Sequence, residues 1–190
     1  ADFDRYLAGC RDNPVLLYTD YTSIEMYLFN RPTMEKFVAF ILGDIPVSVS
    51  QFMKNLGQVL QRIFLLRLAN EKLGWSMTWV NVKEYISYSQ GRIGFDESRY
   101  VNNYLLRNGK KRHAQMFRDT VEGLSRSLEK DCRHNIRGHD LVYVLFLSSH
   151  KHLGRRFPGK THETFAPFLC ACLEFDEIVH EPLFVALGRL

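Results

Sequence analysis

Long apolar runs, C-x-x-C cysteine pairs and internal repeats are all missing from this sequence, and each absence removes a class of protein. No uncharged stretch reaches the roughly 18–20 residues that a membrane-spanning helix requires. Asp2, Asp4, Arg5 and Arg11 break up the N-terminal stretch where a secretory leader keeps its apolar core. Cysteine is scarce: Cys10 and Cys132 stand far apart, Cys170 and Cys172 form a C-x-C pair, and none has the C-x-x-C spacing of a zinc site. A chain of this length buries enough core to do without disulfides, so reduced, buried thiols and a cytoplasmic compartment are expected. No low-complexity tract is visible, and 46% hydrophobic with 24% charged residues is wrong for a disordered chain.

What is present is unevenly placed charge. Residues 1–106 balance 11 Lys and Arg against 11 Asp and Glu, residues 107–160 carry 13 against 5, and residues 161–190 carry 1 against 5. Five of the seven histidines (His113, His134, His139, His150, His152) also fall in the basic block. The positive charge is concentrated where an anionic partner can feel it.

Apolar periodicity predicts mostly helices. Residues 15–18 form a short apolar run that reads as one buried strand. Thr22-Ser23 offers an N-cap for a helix carrying Ile24, Tyr27 and Leu28. Pro32 suits a first helical turn, with Met34, Phe37, Val38 and Ile41 as its apolar stripe and Gly43 as its end. The longest helix is predicted over 50–73, capped by Ser48 or Ser50 and closed by Gly74. Residues 75–95 mix β-branched residues, Trp and Gly, and predict a short hairpin or turns. Helices follow from Asp96 to Gly109, over a polar stretch 110–133, from Gly138 through Leu147, and over 161–173 and 176–188. The fold class is mainly α (α+β). Residues 1–45 read as the last part of an α/β sheet domain and 46–190 as a helical domain.

The chemistry-bearing residues begin with Asp2 and Asp4. Two carboxylates two positions apart at a strand end suit a hard cation such as Mg²⁺ or Mn²⁺, although Asp-x-Asp is also common in solvated loops. Asp20 follows the predicted strand, where a parallel sheet presents its ligand edge. Glu25 lies in a first helical turn, where a carboxylate also complements the macrodipole. A second constellation is cationic. Lys110, Lys111 and Arg112 are contiguous, while Arg126, Lys130, Arg133 and Arg137 are spaced by 4, 3 and 4, one face of a continuous helix. Phosphate backbones reward such a stripe through counterion release, and an acidic protein surface reads it equally well. His139-Asp140 forms an apparent acid–base pair, but neighbours on a helix point about 100° apart, so Asp140 is expected as a cap and His139 as a buried or packing-edge imidazole. Cys170, with His162 and His180 at helical spacings, sits among Phe165, Phe168 and Leu169 and reads as a core thiol.

The segments Ala1-Asp2-Phe3-Asp4-Arg5, Leu17-Tyr18-Thr19-Asp20-Tyr21 and Ile24-Glu25-Met26-Tyr27-Leu28, with Arg137-Gly138-His139-Asp140-Leu141 farther along, resemble a TOPRIM-like bacterial family. That family accompanies ABC-type ATPases in phage defence and has the overcoming-lysogenisation-defect nucleases as relatives. The resemblance covers residues 1–45 and about 132–147. It implies a Mg²⁺-dependent phosphodiesterase acting on DNA or RNA, with Asp2 and Asp4 as catalytic metal ligands; Asp20 and Glu25 are further metal-ligand candidates by their positions. It also implies an ABC-type ATPase partner; a homodimer is a further possibility, and the lack of long apolar runs predicts no membrane partner. The early Glu of such a centre is expected upstream of Ala1, so the chain reads as part of a larger functional unit. The alternative is a non-catalytic helical module that docks on an ATPase or mediates dimerisation.

Overall fold

Ser48 starts the helix around which the other elements pack. Its hydroxyl accepts a hydrogen bond from the Gln51 amide at 3.2 Å, satisfying one orphan donor of the first turn, and the helix α2 then runs Val49–Lys72. Phe52, Leu56, Leu60, Ile63, Phe64 and Leu66 on α2 are fully enclosed. The computed structural model describes residues 17–43, 45–153 and 161–189. Among them the chain is mainly helical with one small antiparallel sheet, the α+β class that the sequence predicts.

A 3₁₀ turn, Ile24–Leu28, precedes α1, Arg31–Phe37. The Asn30 side chain caps α1 by accepting from the Thr33 amide at 2.8 Å, and Pro32 occupies the first turn. The helix widens into a π turn, Val38–Leu42, and stops at Gly43. Residues 75–95 do hold a hairpin: β1, Ile86–Ser89, pairs with β2, Arg92–Phe95, in the register Ile86 to Phe95. Gln90 and Gly91 both have positive φ, 50° and 76°, the requirement of a type I′ turn. A Cβ at Gly91 would also stand 2.6 Å from the Val47 side chain, so glycine is needed twice over.

Asp96 caps α3, Glu97–Arg107, through the Arg99 amide. Helix α4, Ala114–Ser125, packs along α2, and α5, Gly138–Leu153, packs against β1, the 24–28 turn and the helix that follows it in the chain. Helix α6, His162–Cys170, and the short α7, Pro182–Leu187, complete the described chain. No helix of the described residues is long and apolar enough to cross a membrane.

Several predicted features differ, beginning with the 24–28 helix, which is a 3₁₀ turn without a Ser23 side-chain cap. Leu17 and Tyr18 carry no strand and are about half exposed, while Val15 and Leu16 lie outside the described residues; a four-residue apolar run supplies no pairing partner by itself. The helix predicted over 110–133 is only α4. Past Ser125 the Asn135 amide bonds the backbone N–H and C=O of Glu129, and the Asp131 carboxylate accepts from the Arg133 amide, so polar side chains compete successfully with helix. The helix predicted over 176–188 splits at Glu181, which Pro182 holds extended at φ −70°, ψ 143°. Of the thiols, Cys172 is buried but Cys170 is exposed, because residues two apart on a helix face nearly opposite directions.

Rings from α3, α4 and the 75–79 loop build an aromatic cluster of Trp75, Trp79, Tyr100, Tyr104 and Phe117. The two buried tyrosines differ in one respect. The Tyr100 hydroxyl donates to the Val80 carbonyl at 2.9 Å, whereas the Tyr104 hydroxyl is buried without a hydrogen-bond partner, and burial pushes it up to about 12. Tyr104→Phe is therefore expected to be neutral or stabilising by up to about 1 kcal/mol, and Tyr100→Phe to cost about 1–2 kcal/mol by orphaning the Val80 carbonyl. Urea denaturation of both variants checks the contrast, and equal losses would contradict it.

Candidate functional site

Asp20 lies on a bend, and its carboxylate is committed to protein donors. Oδ2 accepts from the Tyr27 hydroxyl at 2.6 Å and from the Leu183 amide at 3.1 Å, and the Asp20 amide donates back to Tyr27 Oη. Tyr27 meets Tyr21 edge-on, and the Tyr21 hydroxyl reaches both Glu181 oxygens at 2.8 and 2.7 Å. Burial first, then the acceptor carboxylates, hold both phenols well above their ordinary range. Glu181 also accepts from Arg133 Nη1 at 2.9 Å, the Arg133 guanidinium lies 4.0 Å from the centre of the Tyr21 ring, and Asp131 grips it from the other side at 2.7–3.2 Å. Burial works against the charges of Arg133 and Asp131. Their mutual hydrogen bonds outweigh it, lowering the carboxyl and raising the guanidinium. The chain thus joins residues 20–27, 131–133 and 181–183 into one continuous polar seam.

Glu25 occupies a second place. Its carboxylate lies 3.2 Å from Nδ1 of the exposed His139, against the first turn of α5, where a negative charge complements the macrodipole. Gly138 permits this approach: a Cβ there would lie 2.2 Å from Ser23 Oγ and 2.6–2.7 Å from Glu25. Asp140 is not a cap. It is buried and makes a two-pronged ion pair with Arg67 of α2, both bonds 2.9 Å, while the Arg67 guanidinium lies 3.7 Å from the centre of a Trp79 ring. His139 and Asp140 point apart, as helical geometry requires, and form no acid–base pair.

The cationic set divides. Lys111 and Arg112 are exposed on the 3₁₀ turn Lys111–His113 that joins α3 to α4. Lys110 places Nζ 5.3 Å from the centre of a Trp75 ring, and His113 stands 5.8 Å from Trp75 on the same turn. No carboxylate of the described residues pairs with Lys110, Lys111 or Arg112. Arg126 and Lys130 are exposed beyond the other end of α4, about 18 Å away by the rise of its 12 residues. Arg133 is consumed by the seam, and Arg137 precedes α5. The four residues 126, 130, 133 and 137 therefore do not share one helix face: the helix that would align them ends at Ser125.

Asp2 and Asp4 lie outside the described residues. Among those described, no group of three or more His, Cys, Asp or Glu side chains gathers to hold a metal ion, and Asp20 and Glu25 are engaged by Tyr27, Leu183 and His139. These two carboxylates do not by themselves fit a Mg²⁺ site. No protein-family model, curated protein or solved structure matches the chain.

Trp75, Tyr21 and Glu181 are the residues that sequence reasoning missed. Glu181 had a signal: an acidic segment of net charge −4 following a block of net charge +8 predicts pairing within the chain. Trp75 had none, since 35 residues separate it from Lys110.

Proposed function

We propose that this chain is part of a TOPRIM-like, metal-dependent nuclease of anti-phage defence, working with an ABC-type ATPase, and that the Lys110–Arg112 turn beside Trp75 holds its nucleic-acid strand. The observation that supports this most is the company of Trp75. Lysines and arginines alone fit any anionic surface, but single-strand binding combines them with aromatic faces, and the tertiary fold brings an indole to a turn whose own sequence has none. In this reading Mg²⁺ belongs with Asp2 and Asp4, and the described residues contribute positioning.

The test is Lys111→Glu with Arg112→Glu, assayed by anisotropy on a labelled oligonucleotide across a salt series. Affinity is expected to fall roughly tenfold or more, and the log–log salt slope to flatten by about 1.4 for two lost single-strand phosphate contacts. Both side chains are exposed, so stability should stay within about 0.5 kcal/mol. Unchanged affinity combined with lost co-purification of the ATPase would assign the turn to the rival role, a non-catalytic docking module.

A further inference from the structure

The segment from Glu174 to Leu187 is attached in an unusual way. Its acidic residues do the holding: Glu174 and Glu177 both accept from Lys36 Nζ at 2.7 Å, Glu177 also accepts from the Thr33 hydroxyl at 2.8 Å, and Glu181 takes Arg133 and Tyr21. Its apolar anchorage is thin. Ile178 is buried and Phe184 meets the Tyr27 ring edge-on, but α7 has no buried residue. Phe175, Val185 and Leu187 turn outward, with Phe175 63% exposed. The charged contacts are part-buried: 23% of the Glu181 side chain and 26% of the Arg133 side chain are open to water, and 11% of the Glu177 side chain. Such pairs are screened by salt less than fully exposed ones, but their open edges remain within reach of external anions.

What the segment covers gives this attachment its meaning. Its backbone amide at Leu183 shares Asp20 Oδ2 with the Tyr27 hydroxyl, and its Glu181 carboxylate occupies both the free edge of Arg133 and the Tyr21 hydroxyl. Arg133 is the guanidinium of the seam, and Asp20 is its carboxylate at the head of the 20–27 turn. A carboxylate on Arg133 stands where the oxyanion of a phosphate or an acidic side chain would sit, held by the same guanidinium and phenol donors.

We propose that residues 174–187 form an autoinhibitory electrostatic latch, in which Glu181 acts as a built-in substitute for an oxyanion ligand of Arg133 and Tyr21 and, when closed, keeps Asp20 capped. Opening removes Glu181 and the Leu183 amide together, because Pro182 ties the two into one rigid step of chain. This rests on the geometry of the seam and is independent of the nucleic-acid reading of the Lys110–Arg112 turn.

Hydrogen–deuterium exchange on the whole chain tests it, following amides in residues 177–188 against those of α2. In the wild type, raising NaCl from about 50 mM to about 500 mM should speed exchange of the 183–188 amides several-fold, since the Debye length shrinks from more than 10 Å to below 5 Å. Glu181→Gln at low salt should give the same local acceleration, with α2 protection unchanged. Inorganic phosphate at matched ionic strength should accelerate it further if the seat takes an oxyanion. Exchange at 183–188 that ignores salt and Glu181→Gln alike overturns the latch. Loss of α2 protection in step with it also overturns the latch, because the segment would then be part of the global fold. Salt sensitivity without any phosphate effect removes the oxyanion-substitute half of the proposal.

Discussion

Asp140→Ala is expected to lower the unfolding free energy by about 3–5 kcal/mol, because it leaves the Arg67 guanidinium buried without its counter-charge. Arg67 and Asp140 are only 16% and 11% exposed, so water cannot replace the missing carboxylate. The indole of Trp79 stabilises a cation over its face but satisfies none of the in-plane N–H donors that Asp140 accepts. For a chain of this size that loss corresponds to a fall in Tm of roughly 10 °C. The pair itself is a different quantity. Replacing both partners with apolar residues of similar reach, Arg67→Met with Asp140→Leu, is expected to stay within about 2 kcal/mol of wild type, since the desolvation of both charges disappears together. A single variant as stable as wild type would mean that Arg67 escapes to solvent; a double variant as damaged as the single would mean that the site depends on the charges themselves.

Gly138→Ala carries the second large effect, about 1–3 kcal/mol of destabilisation from overpacking. The added methyl would meet Ser23 Oγ at 2.2 Å and Glu25 Cβ at 2.7 Å, and the latter cannot swing away like the end of a long side chain. Something must move, and the choice is between the first turn of α5 and the 24–28 turn seated on it. Ser23 gives a way to locate the clash. Its hydroxyl is buried without a partner, so Ser23→Ala alone is expected to be near neutral. Combined with Gly138→Ala it should recover part of the loss, with Glu25 Cβ accounting for the remainder. The interaction energy of that double-mutant cycle, measured by urea denaturation, is the readout. Additive losses would place the strain elsewhere.

The glycine is also where the sequence motif and the structure meet. Arg137-Gly138-His139-Asp140-Leu141 is one contiguous motif in the sequence, and its last four members serve separate purposes. Gly138 admits Glu25, His139 faces it from the solvent side, Asp140 turns inward to Arg67, and Leu141 is fully buried. A cluster in sequence became a fan in space because consecutive helical residues diverge by about 100°.

Sequence alone determined those features whose causes are local. Ser48 and Asp96 cap the helices predicted for them, and those helices end near Gly74 and Gly109, because caps and left-handed stops act within a few residues. The apolar stripe of α2 was legible for the same reason: a period of 3.6 over 24 residues leaves one reading. The division of the basic block was not legible. Spacings of 4, 3 and 4 are a face only if the helix continues, and what stopped it was Asn135 and Asp131 bonding to backbone across a loop. Tertiary structure alone decided which charges are spent and which are offered. Arg133 and Asp20 face partners 48 and 163 residues away, while Lys111 and Arg112 face none of the described carboxylates. It likewise set Trp75 beside Lys110. Pairings of that range depend on how helices pack, and a linear sequence records the packing surfaces without recording which of them meet.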